Sequence, residues 1–313
     1  MLTAPDILAI HSGALGDVIL LGQFLQALKA ARGGAVRLAA LREKADLLAD
    51  LDVVEAALDF SALPMDEAFS ARPAEQCALP RLLGRCDLLV SCFAAGDAAA
   101  MARLSQLAGA AESLYLPIRP EANYGGHLVE LWAGLAGLAE VPLPHWHAKR
   151  VWLERAGEAL REAGVDPARP YVLIHPGAGS RTKCWPLEHF LALAAQVQRQ
   201  GLRGEAQVVF AIGPAEMDWW GEAVVNHIQR HFPVLLGAPL PTLAGAMAAA
   251  WAYIGNDSGP SHLAAALGVA TVALFGPSNP RHFAPRGPRV AVVYEPALAD
   301  LPIQRVIAAA EMV

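Results

Sequence analysis

An alternation, run through twice, most constrains what this chain can fold into. "DILAIHS" (6–12), "AVRLAAL" (35–41) and "CDLLVSC" (86–92) read as strands. Residues 17–31, about 97–109 and 127–138 carry the apolar spacing of helices. A Pro- and His-rich piece, "VPLPHWHAKRVWL" (141–153), breaks the pattern and is the predicted linker. The alternation then restarts. Helices are predicted at 154–164, 187–200, 215–230, 241–250, 260–267 and 302–312. Strands are predicted at 171–177, 206–213, 233–237, 251–256 and 270–276.

Strands that alternate with helices form parallel sheets, because each crossover helix must cover a face. Two such halves predict an α/β chain of two Rossmann-like, doubly wound domains, 1–150 and 151–313, with the last helix free to pack back on the first. At 313 residues, 55% hydrophobic and 17% charged, the chain can fill two cores. A net charge of −6 gives no basic field for nucleic acid. Four cysteines form no CxxC pair, so neither a disulfide framework nor a zinc site is expected. The two histidines of "HWH" (145–147) lack a third ligand and read as surface or packing residues. With no signal-like start and no apolar run of the ~20 residues a membrane helix needs, the expectation is a cytoplasmic protein, at most in peripheral contact with the inner face of the inner membrane.

Ligands of such sheets bind beyond the carboxyl ends of strands. Four loops there carry chemistry. In "HSGALGD" (11–17), Gly13 and Gly16 are expected to permit a tight turn. Asp17 reads either as a helix cap or as a general base. In "HPGAGSRTKCWP" (175–186), Gly177 and Gly179 would leave backbone amides exposed beside Lys183, either as an anion site or as an ordinary glycine-rich turn. In "AIGPAEMDWW" (211–220), Glu216 is a favourable charge at a helix start or a ribose ligand. In "IGNDSGPSHLAAALG" (254–268), Asn256, Asp257 and Ser258 are candidate caps, and His262 falls in the first helical turn. Asp257 reads as a loop organiser that accepts backbone N–H bonds. Two anion-ready helix starts and one Lys, with no metal-ligand cluster, suggest a diphosphate held without metal or cofactor.

"SGALGDVIL", "HPGAGSRTKCWPLEHF", "GPAE" and "GNDSGPSHLAAALGVATVALFGPSNPRHFAP" together resemble glycosyltransferase family 9, the ADP-heptose:lipopolysaccharide heptosyltransferases. The resemblance spans nearly the whole chain. It implies a GT-B fold, two Rossmann-like domains facing across a cleft, and inverting transfer from a nucleotide-sugar donor without a metal. The first domain would serve a glycan or glycolipid acceptor and the second the donor. By motif position, Asp17 matches the family's base and Lys183 the Lys on the donor phosphates. Ser180 lies near that phosphate. Asp257, Ser258, Gly259 and His262 match the segment around diphosphate and sugar, and Glu216 the acid near the ribose. Gly22 stands where family members commonly have Pro. Residues 1–150 hold 12 Lys and Arg against 17 Asp and Glu. A phosphorylated lipid core would call for clustered cations, for which Arg81 with Arg85 and Lys149 with Arg150 are the candidates. Two other readings remain open: a GT-B-like sugar-nucleotide epimerase, and a non-catalytic protein that binds a sugar nucleotide or glycan. A nicotinamide enzyme is not expected, since neither first loop has G-x-G-x-x-G spacing.

Overall fold

The computed structural model describes residues 5–202 and 205–313. The chain forms two compact units, Met1–Pro142 and Leu143–Val313. The first contains β1 (Asp6–Ile10), α1 (Leu15–Arg32), β2 (Ala35–Ala40), α2 (Arg42–Asp50), β3 (Ala56–Asp59), α3 (Leu79–Leu83), β4 (Leu88–Ser91), α4 (Ala98–Leu107), β5 (Glu112–Tyr115) and α5 (Leu128–Leu135). The second contains α6 (Arg150–Glu162), β6 (Tyr171–His175), α7 (Leu187–Gln200), β7 (Gln207–Ile212), α8 (Pro214–Gln229), β8 (Val234–Leu236), α9 (Leu240–Ala249), β9 (Ala252–Asn256), α10 (Gly259–Ala266), β10 (Ala270–Phe275), α11 (Pro280–Phe283), β11 (Val290–Tyr294) and α12 (Ile303–Met312). Among the described residues, no helix is long and apolar enough to cross a membrane.

Both sheets are parallel, as the alternation requires. The first runs β3-β2-β1-β4-β5 and the second β11-β10-β9-β6-β7-β8. Their central strands are the continuous apolar runs that burial on both faces demands. β6 is buried at all five positions, and so is β9. α7 and α12 cover part of the second core. Phe190, Leu193 and Val197 of α7 and Val306 and Ala310 of α12 pack with Val172, Ile174 and Ile254. The last helix therefore joins the core of its own unit.

The sequence missed short, half-buried elements. β3 ("AALD") and β5 ("ESLY") are edge strands with no fully buried residue, so neither periodicity nor a long apolar run marks them. The stretch 141–153 is only partly a linker. Its end, from Arg150, begins α6, which buries Trp152, Ala156 and Leu160 at a spacing of four. Trp146 is buried too, with its N–H on the Ala266 carbonyl at 2.8 Å.

In each sheet the chain leaves the central strand, builds one side, and returns to build the other. The reversal falls between β1 and β4 in the first unit and between β6 and β9 in the second. Such a switch point leaves a crevice beyond the strand ends, where ligands of open α/β sheets bind.

Candidate active site

In the second unit, the loops that leave β6 and β9 flank this crevice. Asn256, the last residue of β9, ties them together. Its Oδ1 accepts the Trp185 amide at 2.9 Å, and its Nδ2 donates to the Pro176 and Gly177 carbonyls at 2.8 and 3.3 Å. Asn256 is fully buried and Trp185 nearly so, with the indole N–H on the Leu301 carbonyl at 3.1 Å. The sequence reading took Asn256 for one of three caps. A polar residue ending an otherwise apolar central strand was the available signal.

Lys183 and Asp257 meet across the same two loops, Nζ to Oδ2 at 2.6 Å. The Asp side chain is 7% exposed and the Lys side chain 38%. This corrects the reading of Asp257 as an acceptor of backbone N–H bonds, because its partner is an ammonium and Asn256 organises the loop. Ser180 precedes the 3-10 turn of Arg181–Lys183, with its Oγ 3.0 Å from Thr182 Oγ1.

Ser258 occupies the position before α10 without capping it. Its Oγ lies 3.4 Å from Ser261 Oγ, while Ser261 donates to the Asn256 carbonyl. Among the described residues, the Ser258 and Gly259 amides have no hydrogen-bond acceptor. An uncapped helix start with open N–H groups carries positive potential. His262 is buried one turn in.

Glu216 takes the capping role. Its Oε2 accepts the Gly213 N–H at 2.7 Å, and the side chain is buried. Its other oxygen lies over Gly177, where an added Cβ would stand 1.5 Å away. Gly13 is similar, since a Cβ there would stand 2.3 Å from His11 Cε1 and 3.0 Å from Asp17 Oδ2. None of Gly13, Gly16, Gly177 or Gly179 has left-handed backbone. The tight turn expected of Gly13 and Gly16 is therefore made without left-handed backbone. Gly13 and Gly177 make room for a neighbouring side chain, Gly16 is buried within α1, and Gly179 meets nothing within 4 Å.

In the first unit, Asp17 sits in the first turn of α1 and accepts the Ala14 N–H at Oδ2, 3.0 Å. His11 and Lys44 stand beside it, and neither was singled out in the sequence. Lys44 lies on α2, remote along the chain, so only the fold brings it here. Burial pushes His11 below the usual His range, while the Asp17 carboxylate opposes the shift. His175, the last residue of β6, is also held down by burial against the pull of Glu216. Each unit thus carries a buried His, held below the usual His range, at or just after the end of its first central strand.

Several cations of the first unit are tied to acids, while Arg81 and Arg85 are both exposed. Arg32 binds Glu112 at 2.8 Å and Arg37 binds Asp6 at 2.9 Å, while Lys29 pairs with Glu55. Lys149 and Arg150 belong to the second unit, where Arg150 pairs with Glu154. Among the described residues, no three His, Cys, Asp or Glu side chains are grouped to hold a metal ion.

The sequence model described as "Glycosyltransferase family 9 (heptosyltransferase)" matches residues 87–307, more than half of the chain. The chain belongs to glycosyltransferase family 9. Lipopolysaccharide heptosyltransferase 1 of Pseudomonas aeruginosa is 34% identical over 158 residues, a match that spans 50% of this chain and 42% of that enzyme. A family 9 glycosyl transferase from Veillonella parvula superposes with a TM-score of 0.77 at 21% identity, covering 99% of this chain and 97% of the other. The E. coli ADP-heptose lps heptosyltransferase II gives 0.75 at 21% identity, covering 97% of each chain. These two structures share the GT-B-like fold of this family 9 member.

Proposed function

We propose that this family 9 protein transfers a heptose, or a related sugar, from a nucleotide diphosphate to a hydroxyl of a cell-envelope glycan such as the lipopolysaccharide inner core. ADP-heptose is the proposed donor, the sugar nucleotide for which the E. coli relative is named. The second unit serves the donor and the first the acceptor. The carrying observation is the Lys183 ammonium, fixed on Asp257 beside the open amides of Ser258 and Gly259.

In this reading Asp17 removes the proton of the attacking hydroxyl. The hydroxyl oxygen forms a bond to the anomeric carbon as the bond to the diphosphate breaks. The electron pair of that bond leaves on the nucleotide, and attack from the opposite side inverts the centre. Negative charge grows on the departing phosphate oxygen, where Lys183 and the two amides stabilise it in place of a metal. Lys183 has three N–H donors and gives one to Asp257, so two remain for phosphate. Ser180 and His262 complete the diphosphate and sugar contacts. Glu216 offers the ribose the oxygen that is not bonded to Gly213.

The test is incubation of the protein with ADP-heptose, with and without an inner-core glycan. Release of ADP coupled to glycan modification supports the transferase. A changed sugar nucleotide without ADP would establish the epimerase, and tight donor binding without turnover would establish a binding protein.

A further inference from the structure

Gly13 is the meeting point of three titratable side chains drawn from three places in the first unit. His11, just after β1, accepts the Gly13 N–H at Nδ1, 2.8 Å. Lys44, on α2, donates from Nζ to the Gly13 carbonyl at 2.9 Å. Asp17, on α1, accepts the next N–H, that of Ala14, at 3.0 Å. The Gly13 carbonyl and the Ala14 N–H are the two poles of one peptide group. Lys44 and Asp17 therefore grip opposite ends of the same dipole. A cation on the carbonyl draws electron density from the N–H and strengthens its donation, a cooperative gain of ~10–30% per bond.

We propose that Lys44 is a positioning residue for the Asp17 carboxylate, acting through the Gly13–Ala14 peptide. The inference rests on the reading of Asp17 as the general base. The peptide pins Oδ2, and among the described residues Oδ1 has no hydrogen-bond partner. Oδ1 is then the oxygen that takes the acceptor's proton. The O–H bond breaks, its electron pair forms the new bond to the sugar, and the proton rests on Asp17.

The other groups around the cluster leave Lys44 as its working cation. Protonating His11 at Nδ1 would break its bond from Gly13 N–H, and burial already disfavours the charge. Burial and the Asp17 charge push the Cys92 thiol up, so it stays protonated. Glu43, next to Lys44, and Asp17 both favour the ammonium, but burial outweighs them and lowers its proton affinity. Lys44 therefore releases its proton at a lower pH than an exposed Lys, and the hold on Asp17 weakens on the alkaline side.

Two measurements test this. The first is hydrolysis of ADP-heptose with water as acceptor, followed as ADP release from roughly pH 6 to 10, for wild type, Lys44→Met, Lys44→Arg and Asp17→Asn. Lys44→Met should lower the rate roughly tenfold, within the range expected for a small misplacement of a catalytic group, and abolish the alkaline decline. Lys44→Arg should restore the rate and move the decline upward, while the thermal shift given by ADP stays unchanged in both. The second is the Ala14 amide proton resonance, one of six Gly–Ala signals selected by labelling glycine carbonyls with 13C and alanine nitrogens with 15N, and assigned as the one lost in Ala14→Ser. It should move upfield in Lys44→Met and return in Lys44→Arg. An unmoved Ala14 resonance overturns the proposal whatever the rates do. So does a Lys44→Met variant with wild-type rate and alkaline limb. If the wild type releases no ADP, or Asp17→Asn hydrolyses the donor as wild type does, the base reading fails and Lys44's role falls with it. The Ala14 shift would then survive as a purely structural link, which separates the two failures.

Discussion

Lys183 Nζ and Asp257 Oδ2 lie 2.6 Å apart, joining the loop after β6 to the loop after β9 at the reversal of the second sheet. The acid is the more buried partner. It orients the ammonium, so that in the proposed transfer the phosphate would meet a cation already in place.

Replacing Lys183 by Met leaves Asp257 without its countercharge and the proposed donor site without its cation. The variant is expected to lose the ADP-induced rise in melting temperature. Transfer should fall by the equivalent of about 3–4 kcal/mol, the typical loss when one preorganised donor is removed. The stability cost is smaller, about 1–2 kcal/mol, because the Lys side chain is partly exposed and solvent screens the pair. Thermal-shift titration with ADP separates the two effects, and an undiminished ADP response would remove Lys183 from the phosphate site.

Asn256→Ala strands the Trp185 amide and two carbonyls away from water. Each unsatisfied buried group costs about 1–3 kcal/mol. Calorimetry should show a melting point several degrees lower even without ligand. An Asn256→Ala protein that melts like wild type would mean the two loops are held by something else.

Gly177→Ala and Gly179→Ala form a matched pair. A Cβ at 177 would stand 1.5 Å from Glu216 Oε1, whereas a Cβ at 179 meets nothing within 4 Å. The first must push the Glu216 carboxylate away and loosen its bond to Gly213, at a cost of roughly 1–3 kcal/mol. The second should lie within about 0.5 kcal/mol of wild type. Urea unfolding of both variants measures the difference, and equal stabilities would contradict the packing of Glu216 over Gly177.

His11 and His175 are both held below the usual His range by burial. Their unfolded forms take up protons at a pH where the folded forms do not. The stability they contribute is therefore fully present above the unfolded value of about 6.5 and is lost as pH falls below it, at up to about 1.4 kcal/mol per pH unit for each His. Unfolding free energies measured from roughly pH 8 down to pH 5 should fall along this slope. His175→Gln should flatten the slope, and an unchanged slope would show that His175 does protonate in the folded protein.

The fold was legible because burial writes itself into sequence. Fully buried strands such as β6 and β9 appear as apolar runs, and α7 was bounded at its observed ends, 187–200. β3 and β5 were not legible because an edge strand with half-exposed Ala, Asp and Glu carries no periodic signal. The site divides the same way. Asp17, Lys183, Glu216 and Asp257 stand at loop–helix junctions, where the alternation itself points. Asp257's partner was not legible, because a contact between residues 183 and 257 depends on which strands are neighbours. Lys44 was invisible for the same reason, since it reaches Gly13 only once β2 lies beside β1.

The most direct test of the central claim is the product formed from ADP-heptose and an inner-core glycan with a metal chelator present, compared between wild type and Asp17→Asn. The account predicts one ADP released for each heptosyl bond formed, inversion at the anomeric carbon, and loss of both products in Asp17→Asn. Retention of configuration, a requirement for added metal, or full transfer by Asp17→Asn would contradict it.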